Sequence, residues 1–356
     1  MNRQLPTVYE VAQHAGVSTA TVSRVLSGND RVRPDTRDKV LASVAELGYV
    51  PSGAARDLAA RRTGVLGLCF PDLAGDEDPA GDEDRDSLFW YDEVIRGMER
   101  AARRRGYAVL IAASHASDDV DLVTTVAGRC DGMVVLARTV PTPVLERIAQ
   151  RIPVVMLAGP RDRNEQDRVI DHLTVANAQG ARDLTRHLVR VHGHRDLGFV
   201  GGPDSPDSAA RFEGFREALA EEGLPVPDQP VVLGDFTTAG GRRAVRTLLA
   251  EGRRPSALVC ANDQMALGAV KALREAGIRV PAEVAVTGFD GIQVGRHVRP
   301  ALTTAVQPMR LLGETAVRLL EERVADPTRV AQAVELPVRV ELRASCGCPA
   351  PGPIQT

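Results

Sequence analysis

A chain of 356 residues with 44% hydrophobic but only 3% aromatic side chains is neither disordered, nor a small disulfide scaffold, nor a single minimal domain. Its formal net charge of −3, taken as an average, argues against a protein that coats nucleic acid. No stretch approaches the roughly 18 apolar residues of a membrane span, and Met1 to Thr7 lacks the apolar core of a signal peptide; a cytoplasmic protein without a membrane partner is expected. Cys69, Cys130 and Cys260, scattered singly through apolar segments, fit a reducing compartment.

The average charge hides an uneven distribution. Residues 1–62 carry nine basic and six acidic side chains, a head of +3 on a remainder of −6. The first local signal is Thr7-Val8-Tyr9-Glu10, a capping box that predicts a helix start and a helix to His14. Gly16 can take positive φ in the turn Ala15-Gly16-Val17-Ser18, and Ser18 can cap a second helix, Thr19 to Leu26, that ends before Gly28. Val11, Ala12, Ala15, Val17, Val22, Val25 and Leu26 supply an apolar interior, completed by Val40, Leu41, Val44 and Leu47 of a third helix with Pro34 in its first turn. The exposed side of helix two, with Thr19, Ala20, Thr21, Ser23 and Arg24, is short and polar enough to enter a major groove. From periodicity alone, a structural three-helix bundle and a helix-turn-helix reader fit equally.

The ordered run Tyr9-Glu10-Val11-Ala12, Ala15-Gly16-Val17-Ser18 and Thr21-Val22-Ser23-Arg24-Val25-Leu26 closely resembles the DNA-binding head of the lactose-repressor (LacI/GalR) family. The resemblance continues through Arg33-Pro34, Thr36-Arg37, Leu47-Gly48-Tyr49 and Pro51. It implies that Thr7, Ser18, Thr19, Ala20, Thr21, Ser23 and Arg24 meet double-stranded operator DNA, and that residues 51–62 form a hinge helix in which Leu58 wedges into the minor groove. Gly53 weakens such a helix and Asp57 adds an acid beside phosphate. The alternative for this stretch is a flexible tether with Leu58 docked on the body.

The acidic stretch Asp72 to Asp86 holds eight acids against Arg85 and is expected to be a solvated loop. It lacks the closing glutamate of a calcium loop. From Gly64 onward apolar runs predict strands at Val65 to Phe70, Val109 to Ala113, Met133 to Ala137, Val154 to Ala158, Leu197 to Gly201, Val231 to Gly234, Ala257 to Ala261 and Val284 to Gly288. Helical stretches such as Ser208 to Glu222 and Asp263 to Ala276 lie between many of them, so parallel sheets covered on both faces are expected, in two lobes.

The same family pattern covers this body, through Ser208 to Phe215, Ala261 to Gly268, Val286 to Asp290 and Pro300 to Thr304. It implies an N-terminal all-α helix-turn-helix head plus hinge, followed by an α/β two-lobed periplasmic-binding-protein-like body with parallel sheets. The expected divisions are 1–50 for the head, 51–62 for the hinge, 63–345 for an effector-binding and dimerising body, and 346–356 for a tail. Within the body, one lobe is placed at 63–160 and 291–323 and the other at 161–290 and 324–345. The resemblance maps effector contacts onto Arg211, Asn262 and Asp290, with Phe236 as a stacking aromatic and Trp90 or Tyr91 lining the other lobe. A carboxylate accepts, a guanidinium donates in a fixed fork and an amide does both, which together suit a hydroxyl-rich ligand. On the residues alone, Arg211 and Asp290 could instead form a lobe-bridging ion pair, and the aromatics could be core. Ala158 stands where some sugar-responsive relatives carry an aspartate.

Enzyme signatures are missing: neither Lys39 nor Lys271 follows a glycine as a P-loop requires, and no G-x-S-x-G or H-E-x-x-H occurs. His192-Gly193-His194 has no evident partner ligands in the sequence, and Cys346-Gly347-Cys348 sits in a Pro-rich tail expected to be disordered, so no metal or cofactor is expected. Together these features predict a homodimeric transcriptional regulator, a repressor controlled by a small sugar. The alternatives are a regulator with a nucleobase or nucleoside corepressor, or a sugar-binding protein that does not touch DNA.

Overall fold

The computed structural model describes residues 6–26, 31–50, 62–71, 89–114, 120–159 and 169–349, and divides into two compact units, Met1–Gly64 and Val65–Thr356. The hinge residues Gly53, Asp57 and Leu58, the acidic run 72–86 and Gly28 lie outside the described residues.

In the first unit, α1 (Val8–Ala15), α2 (Thr19–Leu26) and α3 (Pro34–Leu47) form a three-helix head. The capping box closes as its sequence demands: Thr7 Oγ1 accepts from Glu10 N at 3.3 Å, while Thr7 N donates to Glu10 Oε2 at 2.6 Å. Gly16, at φ 66°, ends α1, and Ser18 Oγ accepts from Thr21 N at 3.2 Å to open α2. Val11, Val22 and Val40 are fully buried between the three helices, with Ala12 and Val25 close to it. Leu41 departs from expectation and is 47% exposed, because it lies about 100° around α3 from Val40 and so off the seam. Ser43 takes that inner place instead, donating to Lys39 O at 2.8 Å and meeting His14 Nδ1 at 3.0 Å.

The second unit is built on two sheets. β1 (Val65–Pro71), β2 (Ala108–Ser114), β3 (Gly132–Leu136), β4 (Val154–Leu157), β5 (Ile170–Val175) and β11 (Ala333–Leu336) form the first, in the order β11-β5-β4-β3-β1-β2, all parallel. The second comprises β6 (Leu197–Gly201), β7 (Val232–Leu233), β8 (Ala257–Cys260), β9 (Ala285–Asp290), β10 (Thr303–Val306) and β12 (Arg339–Glu341), in the order β12-β10-β9-β8-β6-β7. Only β12 runs antiparallel to its neighbour. Helices α4 (Phe89–Arg104), α5 (Val120–Ala127), α6 (Thr142–Ala149) and α11 (Met309–Ala325) cover the first sheet, with α4 packed along α11. Helices α7 (Asn177–Arg190), α8 (Pro206–Glu221), α9 (Thr238–Ala250) and α10 (Asp263–Glu275) cover the second, paired α7 with α8 and α9 with α10. Among the described residues no helix is long and apolar enough to cross a membrane.

The chain passes between the lobes at three places: from β5 to α7, from β10 to α11, and from β11 to β12. Each lies later in the chain than the divisions at 160, 290 and 323 expected from sequence. The reason is that β5, β10 and β11 do not read as apolar runs. β5 contains Asp171, which is buried yet fully satisfied: it accepts from Arg323 Nη2 at 3.0 Å, Arg329 Nη2 at 2.6 Å and Gln332 N at 2.7 Å. β10 begins with Thr303 and Thr304, both fully buried; Thr303 N donates to Ser345 Oγ at 2.8 Å and Thr304 Oγ1 to Asp263 Oδ1 at 2.6 Å. Partners 41 to 161 residues away decide that these polar stretches are strands.

The tail also differs from expectation. Ala344–Cys346 is a 3-10 turn with Ser345 and Cys346 buried, and Ser345 Oγ donates to Val286 O at 2.6 Å. Cys346-Gly347-Cys348 is therefore an ordered part of the second lobe, because the turn is pinned to β9 and β10 by polar contacts that the sequence does not display.

Candidate functional site

Among the described residues, four non-glycine residues have positive φ: Arg138 at 72°, Ala158 at 56°, Phe236 at 72° and Asp290 at 121°. All lie at or just beyond the C-terminal ends of β3, β4, β7 and β9. Such backbones cost on the order of 1–3 kcal/mol each and persist where surrounding structure over-determines them, commonly at ligand sites. In α/β sheets the strand C-termini are also where ligands bind.

Arg211 projects from α8 and is nearly fully buried. Its guanidinium lies 3.9 Å over the Phe289 ring, donates from Nε to Asn177 Oδ1 at 2.8 Å and from Nη1 to Ala261 O at 2.6 Å. The two carboxylates it faces are farther off: Nη1 to Asp290 Oδ1 is 3.5 Å and Nη2 to Asp207 Oδ2 is 3.7 Å. These are ion-pair distances rather than tight hydrogen bonds. Asn177, the first residue after the β5 crossing, donates in turn to Asp207 Oδ1 at 2.8 Å. Both Arg211 and Asp290 belong to the second lobe, so the pair does not bridge the lobes.

The bridge is made by Gln307, which stands at the crossing from β10 to α11. Gln307 Nε2 donates to Asp290 Oδ1 at 2.6 Å, and its Oε1 accepts from Trp90 Nε1 of α4 at 3.3 Å. A polar chain thus runs from Trp90 in the first lobe through Gln307 and Asp290 to Arg211 in the second. Burial holds the Asp290 carboxyl well above the ordinary carboxylate range, against the opposing pull of Arg211 and of the Gln307 hydrogen bond. Behind it, Asp263 is also pushed up by burial and then by Asp290, although it accepts from Thr304 Oγ1 and from the backbone of Gly291 at 2.7 Å and Ile292 at 2.8 Å.

The other expected contacts fall into different roles. Asn262 caps α10, accepting from Met265 N at 2.9 Å, and its Nδ2 donates to Phe236 O at 2.9 Å. Both ends of its amide are thus engaged in holding the Phe236 loop against α10. Phe236 is half-buried against the core of the second lobe. Tyr91 is buried in the first lobe, stacked 4.6 Å from Phe70, with Trp90 edge-on at 5.3 Å. Trp90 remains half-buried, with its indole N–H directed to Gln307. Gln307, Asn177 and Asp207 escaped the sequence reading. Their only signal is that a polar residue follows directly on a strand or opens the next helix.

In the head, Ser18, Ala20, Ser23 and Arg24 are exposed and Thr19 and Thr21 partly so, while Val22 and Val25 of the same helix are buried. Thr7 is exposed at the start of α1. One side of α2 therefore presents a run of small and hydroxyl-bearing side chains with a single guanidinium, small enough for a helix to approach base edges closely.

Two family models match the chain: that of bacterial regulatory proteins, lacI family, over residues 7–52, and that of the periplasmic binding protein-like domain over residues 185–346. Catabolite control protein A of Priestia megaterium is 35% identical over 345 residues, which is 95% of this chain and 98% of the relative. The HTH-type transcriptional repressor PurR of Photorhabdus laumondii is 32% identical over 348 residues, 96% of this chain and 97% of the relative. Among solved structures, a Lac repressor dimer bound to operator and the anti-inducer ONPF matches with a TM-score of 0.79 at 28% identity, covering 96% of this chain and 99% of that one. The complex of the transcriptional regulator CelR with cellobiose matches with a TM-score of 0.69 at 32% identity, covering 96% and 99%.

Proposed function

Since the chain belongs to the lacI family of bacterial regulatory proteins, whose members are transcriptional regulators and not enzymes, we propose that it is an operator-binding repressor whose DNA affinity is set by a small sugar. Two copies present their α2 helices to the half-sites of a pseudo-palindromic operator. The ligand sits between the lobes, on Arg211, Asp290 and the faces of Trp90 and Phe236, with Asn262 holding the Phe236 loop and Tyr91 supporting Trp90 from the core.

The observation that carries this reading is the Trp90–Gln307–Asp290–Arg211 chain. It ties a residue of each lobe to one buried carboxylate at a lobe crossing, so a ligand hydroxyl that competes for Asp290 or Arg211 also acts on the link between the lobes. Differential contact in two arrangements of the lobes is what allows a ligand to shift an equilibrium. A sugar is favoured over a base by the acceptor carboxylate beside a donor guanidinium, and by the cellobiose complex of CelR at 32% identity. The PurR relatives make a nucleobase the competing ligand, to be included in every screen.

The direct test is a footprint of the full chain on its own promoter, repeated across a panel of sugars and nucleobases. A protected palindrome whose occupancy responds to one sugar supports the reading; protection that no ligand changes removes the effector half of it. Within the head, Arg24→Ala should weaken operator binding by roughly 5- to 150-fold, the equivalent of about 1–3 kcal/mol for one specific contact, while thermal unfolding of the body is unchanged. An unchanged footprint would place the reading surface elsewhere than α2.

Asp290 also dictates a pH dependence. Burial raises its pKa in the folded state above the ordinary 3.8, so the folded state holds this proton more tightly than the unfolded chain does. Its contribution to stability is full below 3.8 and is lost as pH rises through the raised value. Ligand binding runs the other way, since the ionised carboxylate accepts through both oxygens, whereas the protonated acid commits one of them to its own O–H. Calorimetric titrations should therefore show effector affinity climbing from mildly acid to neutral pH while the contribution of Asp290 to stability declines. A pH-independent affinity would mean that Asp290 does not accept from the ligand.

A further inference from the structure

Away from the cleft, on the second lobe, four side chains from two chain segments converge. His187 lies in the last turn of α7, His192 follows five residues on, Cys346 ends the 3-10 turn and Cys348 comes two residues later. Their ligand atoms all lie within 4.8 Å of one another. His187 Nε2 is 3.1 Å from His192 Nε2, 3.7 Å from Cys346 Sγ and 3.4 Å from Cys348 Sγ, and Cys348 Sγ is 3.4 Å from His192 Nε2. Zinc bonds of about 2.0–2.1 Å to nitrogen and about 2.3 Å to sulfur, arranged tetrahedrally, place ligand atoms about 3.3–3.8 Å apart. These four separations fall on or close to that range. We propose that His187, His192, Cys346 and Cys348 form a structural zinc site that fastens the chain's C-terminal Cys-Gly-Cys segment to α7.

The chemistry of the donors agrees with this. Two thiolates and two imidazoles in a tetrahedron form a closed set that suits zinc and leaves no coordination position for a substrate. Burial keeps His187 below the ordinary histidine pKa, which favours the neutral imidazole a metal needs. Zinc binds both cysteines as thiolates, so the two thiol protons are released to solvent as the two zinc–sulfur bonds form.

The surroundings hold the ligands in place. Thr303 Oγ1 is 3.1 Å from Cys346 Sγ and can donate to its thiolate, and the turn that carries Cys346 is pinned through Ser345 to β9 and β10. Gly347 takes φ 103°, and a Cβ there would stand 3.2 Å from the His192 ring, so only glycine lets the two cysteines flank that imidazole. His194, the other half of His192-Gly193-His194, is not a ligand: its Nδ1 pairs with Ser256 Oγ at 3.0 Å. The metal would join positions 159 and 161 residues apart in sequence, so it stabilises the lobe as a long cross-link does.

The test uses the full chain, reduced, stripped with a chelator and dialysed against buffered zinc. Metal analysis should find one zinc per chain in the wild type and a loss of that zinc in Cys348→Ser and His192→Asn, both at partly exposed positions. Cobalt in place of zinc should give the intense visible bands of a tetrahedral site with thiolate-to-cobalt charge transfer, absent in the variants. Zinc should raise the melting temperature of the wild type and leave that of the variants unmoved. Circular dichroism of the metal-free variants separates loss of a ligand from loss of the fold. A reduced wild type that takes up no zinc, or a folded Cys348→Ser chain that takes up as much as the wild type, overturns the proposal.

Discussion

Asp290→Asn is expected to abolish the response to the effector while leaving operator binding in place. Asp290 Oδ1 accepts from Gln307 Nε2 at 2.6 Å and faces Arg211 Nη1 at 3.5 Å, so it orients both the donor fork and the link to Trp90. Removing one member of a buried charged pair at a binding site typically weakens binding by about 2–5 kcal/mol, roughly 30- to several thousand-fold. The fold should tolerate the change, because burial already disfavours the ionised form and asparagine keeps the volume without the charge. Effector titration of the operator complex, followed by fluorescence anisotropy, reads both effects together. A titration curve that matches the wild type would take Asp290 out of the ligand site.

Asp171→Ala should produce the largest loss of stability. The carboxylate is 1% exposed and accepts from Arg323 and Arg329 side chains and from Gln332 N, holding β5, the last turn of α11 and the segment that leads into β11. Replacing it leaves the buried Arg323 and largely buried Arg329 guanidinium groups without a counter-charge and with only backbone carbonyls as acceptors, a change worth about 3–5 kcal/mol. At roughly 2–4 °C per kcal/mol for a domain of this class, the melting temperature of the body should fall by about 6–20 °C. Conversely, the head should unfold and bind DNA much as before, provided the body remains folded at the working temperature. A shift within about 2 °C would mean that relaxation or water replaces the lost partner.

These two residues also mark where sequence reading succeeds and fails. The head was legible because its determinants are local: Thr7 and Glu10 are three residues apart, Gly16 sets the turn, and Val11, Val22 and Val25 repeat with helical period. Strands buried on both faces, such as β3 and β8, read as continuous apolar runs. β5 did not, since Asp171 interrupts the run and its partners lie 152 and 158 residues away. The lobe crossings were misplaced for that reason.

At the cleft, Arg211 and Asp290 were legible through the family pattern, and the structure brings them together. Gln307 was not, because its meaning depends on Trp90, 217 residues distant. The Cys346, Cys348, His187 and His192 cluster had the faint local signal of two short spacings, H-x4-H and C-x-C, but their meeting is a property of the folded lobe. In each case a polar residue gains its role from a partner that only tertiary structure supplies.

The most direct measurement is the equilibrium affinity of the full-length chain for its own promoter DNA, determined with and without each sugar and nucleobase of a defined panel. Specific binding whose affinity changes by about 5- to 150-fold with one sugar, the usual range of allosteric coupling, is the predicted result. Sequence-specific binding that no member of the panel shifts, or no specific binding at all, would contradict a sugar-controlled operator switch.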